Sequence, residues 1–327
     1  MTAILHFEVQ VYKDSSVRTN KKQRRNKALA FITRQNRILA KFQNNSITLQ
    51  EKSYCLAGVM GWPVAHSRSP LIHNYWLQQH GLAGSYVQLA VQPGQLATAL
   101  QGMAALGFKG CNVTIPHKVA ALKLVDVVDT NAERVGAVNT IVLQADGSLK
   151  GMNTDGFGYI QSLLDAQPDW RADTNPVVVL GAGGAARAIV LALADRGAKE
   201  IRLINRTFDN AEVMATEFGT PVTAMPWEQR HAALAGAALL VNTTSQGMHG
   251  HPPLELDLSA LPIDALVSDI IYVPLQTPLL LAAKARGNPT VSGLGMLLNQ
   301  ARPAFAAWFG VLPDVTPELW RLVEATL

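Results

Sequence analysis

The chain has 327 residues, 48% apolar and 16% charged, which gives enough apolar mass for two domains of ordinary size and too little charge for a disordered chain. Two cysteines exclude a disulfide scaffold and favour a reducing, cytoplasmic setting, and the longest nearly apolar stretch, around 232–241, is about half of a membrane span. The start lacks the order of a secretory signal, and the net charge of +4 is unevenly placed: residues 1–52 hold eleven Lys and Arg against three Asp and Glu, leaving 17 basic and 21 acidic groups for the rest.

That leading segment reads as a disordered basic extension, or as a start assigned too far upstream, in preference to an arm touching nucleic acid or an anionic surface. A transit peptide ranks third, because the segment is poor in Ser. From Tyr54 onward, short β-rich runs alternate with helical spacing. Residues 55–61 form an apolar strand ending in Gly-Trp-Pro, and 70–80 a helix stopped by Gly81. Residues 86–91 form a second strand, followed by a helix over 95–106 that Gly107 closes. A third strand at 110–113 breaks at Pro116 and leads into a helix around 119–125. Residues 137–143 and 149–151 pair as a hairpin turning at Asp146-Gly147. The pattern predicts a helix-covered sheet, mostly parallel with one antiparallel insertion.

A second unit begins near Gly156 with a helix to 166 and an exposed connection over 167–176. Four apolar residues at 177–180 run into Gly181-Ala182-Gly183-Gly184-Ala185-Ala186, helical spacing continues to Arg196, and 201–204 is the next strand. This is a βαβ unit of the length that dinucleotide binding requires. Strands at 238–241, 266–271 and near 290–291 complete the sheet, and 294–309 and 317–326 are helical. The fold class is therefore α/β, with an N-terminal α/β domain and a Rossmann-like, doubly wound dinucleotide-binding domain.

The glycine run sits between a strand and a helix, the context in which it carries meaning. Gly181 allows the tight turn, Gly183 lets backbone approach a pyrophosphate, and Ala186 supplies the third small position, where helix packs on strand. The cradle is thus Gly181, Ala182, Gly183, Gly184 and Ala185, with N–H groups at the helix start facing the anion. The next strand ends Asn205-Arg206-Thr207, with no carboxylate to repel a 2′-phosphate and an arginine fork to bind one. NADP is favoured over NAD. The competing reading of Arg206 is a solvated arginine at a strand end.

Four polar clusters fall at strand ends or loops, where open α/β sheets place ligand groups: His66–Pro70, Asn112–Lys118, Gly136–Thr140 and Asn153–Gly156. Together they offer hydroxyls, amides, one ammonium and one carboxylate, the mixture a compact polyol acid needs. From Cys55 onward the chain resembles the shikimate dehydrogenase family, whose members reduce 3-dehydroshikimate to shikimate with NADPH. The motifs occur in family order: 61–74, 112–118, 136–140, 153–155, 181–187, 205–207, 242–248, 269–280 and 293–300.

The resemblance implies that Ser67 and Ser69 bind the substrate carboxylate, that Thr114, Asn139 and Gln300 hold ring hydroxyls, and that Tyr272 closes over the site. It makes Lys118 and Asp155 the catalytic pair and places Thr244, Gly293 and Met296 with Asn205, Arg206 and Thr207 among the cofactor contacts. The chemistry supports the pair independently, since a ketone oxygen that receives a hydride must also be protonated. NADP-preferring members often carry a second basic residue where this chain has Asn210, which implies a narrower margin over NAD. The resemblance also implies a discontinuous organisation: the extension 1–52, a substrate domain of 53–154 plus 293–327, and an NADP domain of 155–292. Partners are a small-molecule substrate and no membrane, with nucleic acid disfavoured and a homodimer left open. His66, His73 and His117 are too scattered for a metal site. Two rivals stand: a quinate/shikimate dehydrogenase using NAD, opposed by Ser69 and Thr207, and a non-catalytic nucleotide-binding relative, opposed by intact Lys118, Asp155 and Ser67.

Overall fold

A computed structural model describes residues 54–327; the expected basic extension lies outside the described residues. The first sheet is built from β1 (Cys55–Gly61), α1 (Ser69–Gln79), β2 (Gly84–Ala90), α2 (Leu96–Ala105), β3 (Phe108–Val113), α3 (Lys118–Leu122), β4 (Val127–Val128), α4 (Thr130–Val135), β5 (Thr140–Leu143) and β6 (Leu149–Met152). Its strand order is β2-β1-β3-β5-β6-β4, parallel except for β5, which runs against both β3 and β6. The hairpin between β5 and β6 turns where the sequence places it. Gly147 takes φ +87 and the Ser148 N–H donates to the Asp146 carboxylate at 2.9 Å.

Helix α5 (Asp155–Ala166) leads to the second sheet. The chain continues through β7 (Val177–Leu180), α6 (Gly184–Asp195), β8 (Ile201–Ile204), α7 (Phe208–Phe218), β9 (Val222–Met225), β10 (Leu239–Asn242), β11 (Leu266–Asp269), α8 (Pro278–Arg286), β12 (Thr290–Val291), α9 (Gly293–Phe309) and α10 (Pro317–Glu324). All six strands are parallel, in the order β12-β11-β10-β7-β8-β9. β7 is four apolar residues buried throughout, as a central strand covered on both faces must be. The order reverses between β7 and β10, and such sheets bind ligands in the crevice beyond that reversal. Register sets Leu180 level with both Ile204 and Asn242, so the turns that follow these three strands share one edge.

Three stretches that the residue pattern leaves unassigned are ordered: β4 with α4, α7 with β9, and α8. Short helix α4 is held by its caps, with Asp129 accepting from Ala132 N at 2.6 Å and Gly136 closing it in the left-handed region. Helix α8 has Thr277 as N-cap, Pro278 in its first turn and Gly287 as its left-handed C-cap.

The C-terminal helices return to the first sheet. Leu294, Leu298, Ala301 and Phe305 of α9 pack with Ile72, Trp76 and Leu77 of α1 and with Leu319 and Val323 of α10. Trp308 donates its indole N–H to the Ile141 carbonyl of β5 at 2.9 Å. Gly110 makes that approach possible, because a Cβ there would collide with both the Ile141 carbonyl and the Trp308 indole nitrogen. Helices α5 and α9 meet through glycines on each side. A Cβ on Gly158 would lie 2.5 Å from the Gln300 backbone nitrogen, and one on Gly295 would lie 2.9 Å from the Ser162 Cβ.

Gly158→Ala is therefore expected to destabilise the fold by about 1–3 kcal/mol, even though alanine gains up to about 1 kcal/mol in helix propensity. The check is a lower urea midpoint at unchanged slope; an unchanged or raised midpoint would show that the helices part easily.

Candidate active site

A cavity of about 210 Å³ lies between the first sheet and α9, lined by Ser67, Ser69, Thr114, Lys118, Asn139, Asp155, Tyr272 and Gln300, with Gly293 and Met296. All eight residues expected to serve catalysis or substrate meet there. Lys118 is the first residue of α3, carried in by the turn after β3, in which the His117 N–H donates to the Thr114 carbonyl at 2.9 Å. Asp155 is the first residue of α5, where the helix N-terminus favours a carboxylate. Lys118 Nζ stands 2.7 Å from Asp155 Oδ2, with side chains 26% and 7% exposed, so the pair is partly buried but open on the lysine side.

A polar network fixes that pair. Asn139 donates to Asp155 Oδ1 at 2.8 Å and to Thr154 Oγ1 at 3.0 Å, while its own oxygen accepts from Thr154 N at 3.0 Å and Thr140 Oγ1 at 2.9 Å. Asn153 accepts from Asp155 N at 3.0 Å and donates to the Ala137 carbonyl at 2.9 Å. Below, Asn112 accepts from Tyr86 Oη at 2.7 Å and donates to the Asn139 carbonyl at 3.1 Å. Tyr86 in turn stacks on His73, ring centroids 4.1 Å apart. Burial lowers His73 to about 3, so this imidazole is neutral. His117 is also buried and bonds the Val91 carbonyl through Nε2 at 2.7 Å, away from the cavity lining.

At the other end of the cavity the Ser69 N–H reaches Ser67 Oγ at 3.3 Å. Arg68 between them donates to the carbonyls of His66 and Thr326, and among the described residues it forms no ion pair. Its charge opposes the burial that pushes the Tyr272 phenol up. Gln300 donates to the Leu297 carbonyl at 3.1 Å.

The remaining cofactor candidates lie along the edge where β7, β8 and β10 end. Gly181 has φ +106, and a Cβ there would strike Thr243 and Thr244. Gly183 and Gly184 are exposed, and a Cβ on either would meet nothing within 4 Å, which leaves an open cradle at the start of α6. Asn205 accepts from Ala182 N at 3.2 Å and donates to the Thr207 carbonyl at 2.7 Å, tying the glycine turn to the next strand tip. Arg206 and Thr207 are exposed, and among the described residues the Arg206 guanidinium makes no ion pair. An open glycine cradle beside an uncommitted guanidinium fits a dinucleotide carrying a 2′-phosphate. Gly293 and Met296 are separate from this edge and face the cavity. Among the described residues, no group of three His, Cys, Asp or Glu is placed to hold a metal ion.

Three residues outside the expected set bear on the site: Asn112 lines the cavity, and Arg68 and Asp269 lie next in sequence to lining residues. Asn112 opens a polar cluster at a strand end, and Arg68 sits between two serines; both carried that signal. Asp269 is buried at the end of β11 and accepts from Ile271 N at 3.0 Å, Asn242 Nδ2 at 3.1 Å and Thr277 Oγ1 at 2.8 Å. It thereby joins the loop that carries Thr244 to the turn that carries Tyr272. Burial pushes its carboxyl above the ordinary range, and the three donors pull it part of the way back.

Residues 59–141 match the family model described as the shikimate dehydrogenase substrate binding domain, and residues 165–249 match that described as shikimate / quinate 5-dehydrogenase. A shikimate dehydrogenase (NADP(+)) of Paramagnetospirillum magneticum is 54% identical over 268 residues, covering 82% of this chain and 97% of the relative. Among solved structures, shikimate 5-dehydrogenase of Thermus thermophilus in complex with NADP(H) and shikimate superposes with a TM-score of 0.74 at 37% identity, covering 84% of this chain and 100% of that one. Quinate dehydrogenase of Corynebacterium glutamicum in complex with NAD has a TM-score of 0.76 at 33% identity, covering 83% and 98%.

Asp269 gives stability a pH dependence of defined sign. Its folded value lies above the ordinary 3.8, so between the two the folded state holds a proton that the unfolded state has released. Its contribution is greatest below about pH 4 and falls as pH rises through the folded value. Asp269→Asn cannot ionise, so the stability of this variant relative to wild type is expected to improve as the pH is raised from about 4. Urea unfolding at successive pH values checks this; a difference that does not change with pH would contradict it.

Proposed function

Because the chain belongs to the shikimate dehydrogenase family, we propose that it catalyses the reversible, NADP(H)-dependent reduction of 3-dehydroshikimate to shikimate, a step toward aromatic amino acids. The observation that carries the reading is the Lys118–Asp155 pair, 2.7 Å apart at the wall of a cavity that also presents Ser67, Ser69, Thr114 and Gln300.

When bound, NADP(H) supplies or accepts the hydride. Gly181, Ala182, Gly183, Gly184 and Ala185 would cradle its pyrophosphate, Arg206 and Thr207 would take the 2′-phosphate with Asn205 bracing the turn, and Thr244, Gly293 and Met296 would border the nicotinamide. The protein handles the proton. As the ketone oxygen gains charge, the Lys118 ammonium stabilises it and donates a proton; in the oxidative direction the lysine removes that proton. Asp155 holds the ammonium in place and accepts from the neighbouring ring hydroxyl. The Ser67 and Ser69 hydroxyls bind the carboxylate within the field of Arg68, Thr114 and Gln300 face the ring hydroxyls, Asn139 reaches one by exchanging an internal bond, and Tyr272 closes the cavity. Asn139 also orients Asp155.

In this reading residues 53–154 and 293–327 form the substrate domain, residues 155–292 form the NADP domain, and the enzyme works in the cytoplasm. A homodimer is part of the proposal, and light scattering checks it. Quinate with NAD is the less favoured chemistry, because the 54% identical relative is an NADP(+) enzyme whereas the quinate dehydrogenase is 33% identical.

The test is initial-rate absorbance with shikimate or quinate crossed against NADP⁺ or NAD⁺. Turnover should be fastest with shikimate and NADP⁺, and Lys118→Ala should lower kcat by about 10²- to 10⁴-fold. Arg206→Gln should raise the KM for NADP⁺ and leave that for NAD⁺ nearly unchanged. Comparable rates with quinate and NAD⁺ would move the chain to the broader branch. Folded protein with no turnover on any pair would end the enzymatic reading.

A further inference from the structure

Arg187 lies one turn into α6, the helix that follows the glycine turn, yet its strongest contacts lead away from that helix. Nε donates to the Val135 carbonyl at 2.6 Å, Nη1 donates to Glu217 Oε2 at 2.9 Å, and Nη2 pairs with Oε1. The guanidinium also lies over the Phe218 ring, 4.9 Å from its centroid. Nearby, Val135 and Ala137 pack with Ala188 and Leu191 of α6.

Val135 ends α4, so its carbonyl has no partner within that helix and the arginine supplies one. Gly136 follows at φ +72, and even a Cβ there would come within 3.4 Å of Arg187 Nη2. The next residues reach the reactive pair directly. Val138 N donates to the Lys118 carbonyl at 3.0 Å, and Asn139 Nδ2 donates to Asp155 Oδ1 at 2.8 Å. A second ion pair on the same boundary, Arg134 with Asp195 at 2.8 Å, is exposed on both sides, and among the described residues its side chains bond only each other.

We propose that Arg187 is a positioning residue for the substrate site: a cation carried on the nucleotide-binding helix that fixes the 136–139 loop and, through it, Lys118 and Asp155. The proposal rests on the activity proposed above. It differs from a local role in α6 by predicting that a change on the cofactor helix damages the handling of shikimate and not that of the cofactor.

Arg187→Met keeps an apolar stem over Phe218 and removes the donors. It should raise the KM for shikimate and lower kcat, together on the order of tenfold in kcat/KM, with the KM for NADP⁺ unchanged. Arg187→Lys should restore part of the loss, and Arg134→Met should behave as wild type. Amide hydrogen exchange without substrate reads the loop itself: in Arg187→Met the 137–140 amides should exchange faster while those of α6 do not. A rise in the NADP⁺ KM alone would overturn the proposal, as would unchanged kinetics and unchanged exchange in folded Arg187→Met. An inactive wild type would remove the enzymatic reading, and the exchange measurement would still decide whether Arg187 holds the loop.

Discussion

Helices α5 and α9 can approach as closely as they do because each presents a glycine at the contact, Gly158 against the Gln300 backbone and Gly295 against Ser162. Most of the site depends on that separation. Asp155 begins one helix, and Met296 and Gln300 project from the other, so the crossing fixes the width of the cavity between carboxylate and amide. A methyl group at Gly158 would have to displace backbone, and backbone in a packed helix moves only as a unit. The glycines therefore trade helix propensity for a fixed distance.

Within that frame the polar groups are arranged to leave nothing adjustable around Asp155. Asn139 uses both of its amide hydrogens and its oxygen inside the protein, Asn112 braces its backbone carbonyl, and Asn153 ties the Asp155 N–H to the Ala137 carbonyl. A fully satisfied buried network of this kind is rigid, because each bond constrains the next. Lys118 is the member left partly open, and in the proposed reaction it is the group whose proton moves. Further down, the network gives way to an aromatic box in which His73 stacks on Tyr86 and meets Trp76, Phe305 and Trp308. That imidazole is neutral and contributes shape; the charge at the cavity wall comes from Lys118 and Asp155.

Much of this was legible in the residues. The apolar run at 177–180 and the glycines after it specify a strand, a turn and a helix start through constraints that act within a few residues. The polar clusters at strand ends converge as open α/β sheets require. Helix α4 was not legible because six residues are too few to show a period; its caps and its partner across the boundary hold it. Helix α7 buries only Ala211 and Met214, so its apolar face is too narrow to stand out. Arg187 could not be assigned from sequence, because its partners Val135 and Glu217 are 52 and 30 residues away and only the fold brings them together. Asp269 opens the 269–280 motif and falls inside the strand expected over 266–271; that it ends the strand and gathers three donors shows only in the fold.

The return of α9 to the first sheet also bears on how the molecule is made. Synthesis proceeds from the N-terminus, and the parallel sheet of β7 to β12 is complete once Val291 has emerged. The apolar face of α1, with Ile72, Trp76 and Leu77, must wait for Leu294, Leu298, Phe305 and Leu319 to be translated. The half that is synthesised first is thus the half that is finished last. During that interval its unburied tryptophan and leucine are the surface that a ribosome-bound chaperone would have to shield.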